Sequence, residues 1–174
     1  MDRSKVPAVL SIAGSDSSGG AGIQADIKTI TAHRLYAETA ITAITAQNTL
    51  GVTAVQNISP DIVAAQIDAV FDDIRPNAVK IGMVSSAEII DVIADRLSAW
   101  NATNVVVDPV MVATSGARLI AEDAAEALTH RLFPLATVIT PNIPEAMALL
   151  DYEVDSERTQ QNAAMLLTRR FGCA

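Results

Sequence analysis

The segment Ala13–Asp26, A-G-S-D-S-S-G-G-A-G-I-Q-A-D, contains the residue types in this chain best suited to chemistry. It follows the apolar run Val9–Ala13 and precedes a helix-like pattern, so its glycines and serines stand where a strand passes into a helix. Ligands of open α/β sheets bind at such crossings, because glycine permits close approach and helix N–H groups attract electron-rich groups. The segment therefore predicts a binding loop, the alternative being an ordinary turn in which Asp16 or a serine caps the helix.

Two phosphate-binding patterns come close to this segment, and neither fits it. A P-loop requires G-x4-G-K-[ST], but here Gly14 and Gly19 are followed by Gly20-Ala21, with no lysine for a nucleotide phosphate. The dinucleotide pattern G-x-G-x-x-G fails at its third position, which is Asp16. The glycines alone therefore do not identify the ligand.

An amide side chain, Gln47, stands at the end of a run rich in β-branched residues, in the order Gln47-Asn48-Thr49. A primary amide donates and accepts hydrogen bonds side by side, which suits an aminopyrimidine edge in the way that Asn and Gln match adenine. The alternative is a turn formed by Asn48 beside a solvated Gln47.

Two further strand ends carry oxygen ligands. Asp108 follows a buried apolar run, where an α/β site places a carboxylate for Mg²⁺ or where a turn is capped. Asn142 and Glu145 lie three residues apart in T-P-N-I-P-E, which is the spacing of a capping box. The second interpretation is that Glu145 organises water around a nucleotide-bound Mg²⁺.

Other chemistries receive little support. His33 and His130 are expected on helix surfaces, no cluster has zinc-like spacing, and Cys173 is expected to begin a strand rather than to act as a nucleophile. Packing roles are expected for Trp100 and for three methionines, which are Met83, Met111 and Met147.

Strand-like runs alternate with amphipathic helices along the chain, which predicts βαβ units and a mainly parallel sheet. The predicted strands are Ala8–Ala13, Glu38–Gln47, Val52–Ile58, Ala78–Ile81, Asn104–Asp108 and Thr137–Thr140. Helices are predicted after Ser59 and Ser86 as N-caps, and over Ala121–Leu132, Ile143–Leu150 and Ser156–Arg170. Residues 36–58 are expected to form a hairpin or flap, and residues 1–174 a single domain.

Composition excludes several classes of protein. The 174 residues carry a net charge of −8, which argues against a nucleic-acid partner without excluding a local anion site. A single cysteine excludes an internal disulfide, and no apolar stretch approaches the roughly 20 residues of a membrane span. These features predict a cytoplasmic protein with no membrane partner.

Five segments in order resemble the hydroxymethylpyrimidine and phosphomethylpyrimidine kinase family of thiamine biosynthesis, within the ribokinase-like superfamily. The segments are Ala13–Thr29, Thr45–Thr49, Lys80–Met83, Val106–Met111 and Thr140–Ala146. The resemblance implies a three-layer α/β fold with a small β flap, a homodimer, and an ATP- and Mg²⁺-dependent kinase. Its acceptors would be 4-amino-5-hydroxymethyl-2-methylpyrimidine and then the monophosphate of this pyrimidine.

The resemblance also assigns residues. Gln47 would hold the pyrimidine edge, and the same pocket would be lined by Gly14, Ala21, Asp26 and Met83. Asp108 and Glu145 would serve the metal, Glu145 through water, and Asn142 would face the nucleotide phosphates.

Family members continue with a K-G-G-H-like strand end and a G-T-G-C turn that supplies the anion hole and a catalytic cysteine. Neither motif occurs in these 174 residues, and Cys173 is not the cysteine of that turn. We therefore expect that the C-terminal strands and the catalytic segment are missing and that this chain alone is inactive. A pyridoxine or pyridoxal kinase and a non-catalytic pyrimidine-binding protein are the alternative functions.

Overall fold

In a computed structural model of the chain, residues 6–111 and 121–174 are described. Within them the strands are β1 (Ala8–Asp16), β2 (Tyr36–Asn48), β3 (Gly51–Asn57), β4 (Ala78–Ile81), β5 (Val105–Val107) and β6 (Val138–Ile139). The α-helices are α1 (Gly22–Ala32), α2 (Pro60–Asp73), α3 (Ala87–Ala99), α4 (Glu122–Ala127), α5 (Ile143–Leu150) and α6 (Glu157–Phe171).

The strands form one sheet in the order β3-β2-β1-β4-β5-β6. Every neighbouring pair is parallel except β2 and β3, which form an antiparallel hairpin. After β1 the chain adds β2 and β3 on one side of β1, and it then adds β4, β5 and β6 on the other side. The order of the strands therefore reverses direction between β1 and β4. The carboxyl ends of these two strands flank a topological switch point, where open α/β sheets bind their ligands.

Helices cover both faces of the sheet at β1. Ser11 faces α1, because its hydroxyl donates to Asp26 of that helix at 2.6 Å. The alternate residues Leu10 and Ile12 face the opposite way and pack with α2 and α3 in the main hydrophobic core. This arrangement confirms the predicted α/β fold with a mainly parallel sheet.

The hairpin of β2 and β3 confirms the predicted flap. Its turn is closed by the Asn48 carboxamide, whose Oδ1 accepts from the backbone N–H of Leu50 and of Gly51. All seven residues of β3 are exposed, although the antiparallel pairing with β2 is continuous apart from one irregularity. β3 is therefore held mainly by backbone hydrogen bonds to β2 and not by burial.

Two predicted elements were wrong by more than two residues. β1 runs on from Ala13 to Asp16, because a register shift at Gly14 allows Ser15 and Asp16 to pair with β2. The single helix predicted for 121–132 is α4 followed by a π-helical turn, Leu128–Leu132, and a short 3₁₀ turn. Pro134 lies in that 3₁₀ turn and has no N–H to donate to a continuing α-helix.

Two side-chain expectations also need correction. Ser59 occupies the N-cap position of α2 but its side chain makes no capping bond, whereas Ser86 accepts from the Ile89 N–H as predicted. Met111 is buried as expected for a core methionine, but Met147 is 37% exposed because it lies on the outer face of α5.

The expectation for Cys173 is supported by the backbone. Ala174 donates its N–H to the Thr137 carbonyl and accepts from the Ile139 N–H, which is the bonding of a strand parallel to β6. Among the described helices, none combines the length and apolar character needed to cross a membrane.

Candidate active site

A cavity of about 420 Å³ opens at the carboxyl ends of β1, β2, β4 and β5, next to the switch point. It brings together six of the eight residues assigned from the sequence, which are Gly14, Ala21, Asp26, Gln47, Met83 and Asp108. Its other lining residues are Ala13, Ser15, Asp16, Gly22, Ala25, Thr45, Val52, Lys80, Gly82 and Val110. Segments more than 90 residues apart in the sequence therefore share one pocket.

The glycine-rich loop is organised by the buried carboxylate of Asp16. Its oxygens accept the backbone N–H groups of Ser18, Gly20 and Ala21 at 2.8–3.0 Å, together with the Ser18 hydroxyl. Burial alone would raise the pKa of Asp16, but these hydrogen bonds hold it below its usual value. Since these N–H groups are already bonded, they are not available as a phosphate cradle. Asp16 therefore closes the loop in front of α1 but does not cap that helix, whose N-cap residue is Ala21 and which has no side-chain capping bond.

Close approach of α1 to β1 depends on Gly22. A Cβ atom at this position would lie 2.2 Å from the carbonyl oxygen of Gly14, and the backbone there is left-handed, with φ of +56°. Gly14 in turn leaves room for the methyl group of Met83, which would lie 2.7 Å from a Cβ at Gly14. These glycines set the shape of the pocket wall.

Asp26 is held through one of its two oxygens. Its Oδ2 accepts from the hydroxyl of the fully buried Ser11 at 2.6 Å and from the Lys80 ammonium at 3.1 Å. None of the described residues bonds to its Oδ1. Asp26 lines the cavity, and a carboxylate with one oxygen fixed and the other without a partner is suited to accept a hydrogen bond from a ligand.

Gln47 is positioned by the glycine-rich loop and by a bulge. The β2–β3 register shifts between Ala46 and Gln47, and such an irregularity re-aims the side chain that follows it. Ser17 bonds to both backbone groups of Gln47. The Thr45 hydroxyl lies 3.1 Å from the Gln47 Oε1 and 3.0 Å from the Ser15 carbonyl, and its single proton is shared between these two acceptors. The Nε2 group makes no bond to the described residues, so it is free to donate to a ligand.

Asp108 stands on the opposite wall, beyond the end of β5, with 38% of its side chain exposed. Its Oδ2 lies 4.0 Å from the Lys80 ammonium. Burial raises the pKa of Asp108, the positive charge of Lys80 opposes that increase, and the negative charge of Asp26 adds to it. A nearby divalent cation would favour the charged form of this carboxylate.

Asn142 and Glu145 form the predicted capping box at the start of α5. The Asn142 Oδ1 accepts from the Glu145 N–H, and the Glu145 Oε2 accepts from the Asn142 N–H, both at 2.9 Å. Glu145 is only 3% exposed, and its Oε1 lies 3.4 Å from the donating N–H of Met111. Burial raises the pKa of Glu145, although the backbone donors oppose this shift. This carboxylate therefore joins α5 to the segment after β5.

Neither of these two residues lines the pocket that contains Asp108. Asn142 lies on a second cavity of about 380 Å³, between the end of β6 and helices α5 and α6. Residues 6–111 and 121–174 contain no group of three or more His, Cys, Asp or Glu side chains arranged for a metal. One exposed carboxylate still fits Mg²⁺, which commonly takes one or two protein carboxylates and completes its shell with water and phosphate oxygens.

Sequence reasoning assigned no role to Lys80, Ser11 or Thr45, although each supports a predicted residue. Lys80 begins one of the segments that carry the resemblance, so its position was noted without a function. The role of Ser11 could not be predicted, because the partner of this polar residue does not lie within the same apolar strand. Its bond to Asp26 spans 15 residues and appears only in the folded chain.

Comparison with known proteins places these features in a family. The family model described as phosphomethylpyrimidine kinase matches residues 16–174. A hydroxymethylpyrimidine/phosphomethylpyrimidine kinase from Rhizobium meliloti is 54% identical over 91% of this chain and 60% of its own length.

Two solved structures are also similar. The phosphomethylpyrimidine kinase from Clostridium difficile 630 superposes with a TM-score of 0.90 at 49% identity, over 94% of this chain and 71% of that one. An ADP complex of Bacillus subtilis pyridoxal kinase gives a TM-score of 0.86 at 38% identity, over 95% of this chain and 63% of that one.

The chain spans 59–62% of the length of the curated hydroxymethylpyrimidine/phosphomethylpyrimidine kinases that it matches. The match covers most of the described residues, including the glycine-rich loop from Asp16 onward and the strand ends that line the cavity. The chain belongs to the phosphomethylpyrimidine kinase family.

Proposed function

We propose that this chain provides the acceptor pocket of a kinase that phosphorylates 4-amino-5-hydroxymethyl-2-methylpyrimidine and then its monophosphate. The observation that carries the proposal is that Asp26 and Gln47 line one cavity, each with a hydrogen-bonding atom that no described residue uses. A carboxylate oxygen accepts from an exocyclic amine, and an amide N–H₂ donates to a ring nitrogen. These groups together match an aminopyrimidine edge.

ATP is the proposed phosphoryl donor, as expected for a kinase of this family. The donor is proposed to approach from the side of Asp108, Asn142 and Glu145, since the N–H groups of the glycine-rich loop are bonded to Asp16. Asp108 would hold Mg²⁺, with Glu145 acting through water and Asn142 facing the phosphates. A bound Mg²⁺ neutralises charge on the transferred phosphoryl group.

A cytoplasmic homodimer is proposed for the whole protein. The single cysteine fits a reducing compartment. The dimer is supported by the exposed apolar side chains on the flap, among them Val52 and Val55, which are 52% and 54% exposed. Sedimentation at several concentrations tests the dimer.

Calorimetric titration of the protein, expressed from its complete reading frame, with the aminopyrimidine alcohol tests the proposed substrate. The variant Gln47→Leu should lose most of the affinity, because its side chain can no longer bond to the ring edge. Gln56→Leu is the matched control, since Gln56 is exposed on β3 and does not line the cavity. Equal affinity of wild type and Gln47→Leu would reject the assigned role.

Pyridoxal phosphorylation is the second candidate, favoured by the 38% identity to the pyridoxal kinase of Bacillus subtilis. The pyridoxal ring lacks the aminopyrimidine edge that Gln47 and Asp26 match. ADP release with each acceptor separates the two functions: the pyrimidine should have the higher kcat/KM. A higher value for pyridoxal would favour the second candidate.

A further inference from the structure

Lys80 lies between the two sides of the pocket. We propose that it is a positioning residue that holds the plane of the Asp26 carboxylate, so that one oxygen stays free for the pyrimidine, and that links Asp26 to Asp108. The inference rests on the proposed function, because it concerns the same acceptor pocket. It assigns to Lys80 a role that none of the binding residues described above performs.

The contacts of the Lys80 ammonium carry the first step. Lys80 is on β4, and its Nζ atom lies 3.1 Å from the Asp26 Oδ2 on α1 and 4.0 Å from the Asp108 Oδ2 beyond β5. Among the described residues that line the cavity, Lys80 is the one cation, and it faces carboxylates on both sides. Its charge therefore compensates two acids that would otherwise repel each other across the pocket.

The second step concerns the orientation of Asp26. Two donors, the Ser11 hydroxyl and the Lys80 ammonium, converge on the same oxygen, Oδ2. Rotation of the carboxylate out of this plane would break both bonds at once, so the two donors leave the other oxygen unbonded and in a fixed position. Charge-assisted bonds of this kind are about twice as strong as neutral ones. Ser11 alone would hold Asp26 with a single neutral donor.

Gly82 provides independent evidence that the pocket accommodates this ammonium group. A Cβ atom at Gly82 would lie 2.8 Å from the Lys80 Nζ and 3.1 Å from the Ala13 Cβ. Gly82 is buried and directly follows β4, so the absence of a side chain there leaves the space that the end of the Lys80 side chain needs. A methyl group at Gly82 would move the ammonium without removing its charge.

The experiment is calorimetric titration with 4-amino-5-hydroxymethyl-2-methylpyrimidine, without nucleotide or metal, using protein from the complete reading frame. Lys80→Met is expected to weaken binding by about tenfold, since a charge-assisted contact of Asp26 is lost. Arg131→Met is the matched control, because it removes a cation that pairs with Asp91 and Asp95 on the surface, away from the cavity. The control should bind like wild type.

A double-mutant cycle separates positioning from a direct contact with the ligand. If Lys80 acts through Asp26, Lys80→Met should cause no further loss in an Asp26→Asn background. If the two losses multiply, Lys80 contacts the pyrimidine itself and the positioning role is wrong.

Gly82→Ala tests the same role even if Lys80→Met does not fold. If Gly82→Ala acts by moving the ammonium, it should lower the affinity for the pyrimidine in the wild-type background and cause no further loss in the Lys80→Met background. If the new methyl group instead clashes with the ligand, it should lower the affinity in both backgrounds. The positioning role is rejected if Lys80→Met keeps the wild-type melting temperature and binds the pyrimidine with an affinity within about twofold of wild type. The same result for Gly82→Ala would also reject it. If wild type itself does not bind the pyrimidine, the proposed function fails, and this inference fails with it.

Discussion

Glu38 on β2 should make the stability of this protein fall as the pH rises through neutrality. Its side chain is 7% exposed, and neither carboxylate oxygen has a hydrogen-bond partner within the described part of the chain. Burial, together with the negative charge of Asp73 on α2, raises the pKa of Glu38 from 4.5 to about 7. An ionised, unpaired carboxylate is costly inside a protein, so the fold favours the protonated form.

The sign and size of the effect follow from linkage. In the unfolded chain Glu38 releases its proton near pH 4.5, whereas in the folded protein it keeps the proton up to about pH 7. Between these values the folded state binds more protons, so the free energy of unfolding decreases as the pH rises. Those two pKa values give a loss of about 2.5 kcal/mol between pH 5 and pH 8.5.

Glu38→Gln removes this dependence without changing the shape of the side chain. We expect its free energy of unfolding, relative to wild type, to increase by about 2.5 kcal/mol from pH 5 to pH 8.5. In thermal melts this corresponds to a relative gain of roughly 5–10 °C. Comparing the two pH values cancels the cost of burying an amide, because that cost is present at both.

Urea unfolding and thermal melts at both pH values provide the measurement. Glu153→Gln is the control, because it removes a carboxylate that is exposed between α5 and α6, away from the buried position of Glu38. If Glu38→Gln and wild type differ by the same amount at pH 5 and at pH 8.5, Glu38 is ionised in the fold and the argument from burial is wrong.

Three further predictions concern the site. Asp16→Asn should raise the KM for the pyrimidine on the order of tenfold, since a displaced loop misplaces the pocket wall. Because hydrogen bonds keep the pKa of Asp16 low, the wild-type protein should lose the bonds between the Asp16 carboxylate and this loop only in acid, below the usual aspartate range. Gly22→Ala should lower the free energy of unfolding, measured in urea, by more than about 2 kcal/mol, because it causes both backbone strain and a clash with the chain at Gly14. Gly172 is also left-handed but has open space around it, so Gly172→Ala should cost only about 1 kcal/mol. Asn142→Ala should cost about 1 kcal/mol by loss of its cap, and an unchanged urea midpoint would show that the capping box contributes nothing.

Much of the fold was predictable because its signals are local. The helix Ile143–Leu150 was predicted to the residue, since Asn142, Pro144 and Glu145 mark its start within a few positions. Each of the six predicted strands was found, and the errors lie at their ends. The extension of β1 to Asp16 depends on pairing with β2, which lies about 30 residues further along the chain. Residue patterns in one segment contain no information about such a partner.

The sequence by itself determined which residue types stand at the strand ends, and their resemblance to a family indicated an acceptor pocket. Only the tertiary structure decided how those residues meet. The parallel strands and helix α1 bring Asp26, Gln47 and Asp108 to one cavity, and Lys80 on β4 reaches both acids. The tertiary structure also joined the Glu145 carboxylate to the backbone of Met111 and Asn142, outside the lining of that cavity. The physical reason is that propensity and capping act over a few residues, whereas charge compensation, burial and cavity shape depend on groups that only folding brings together.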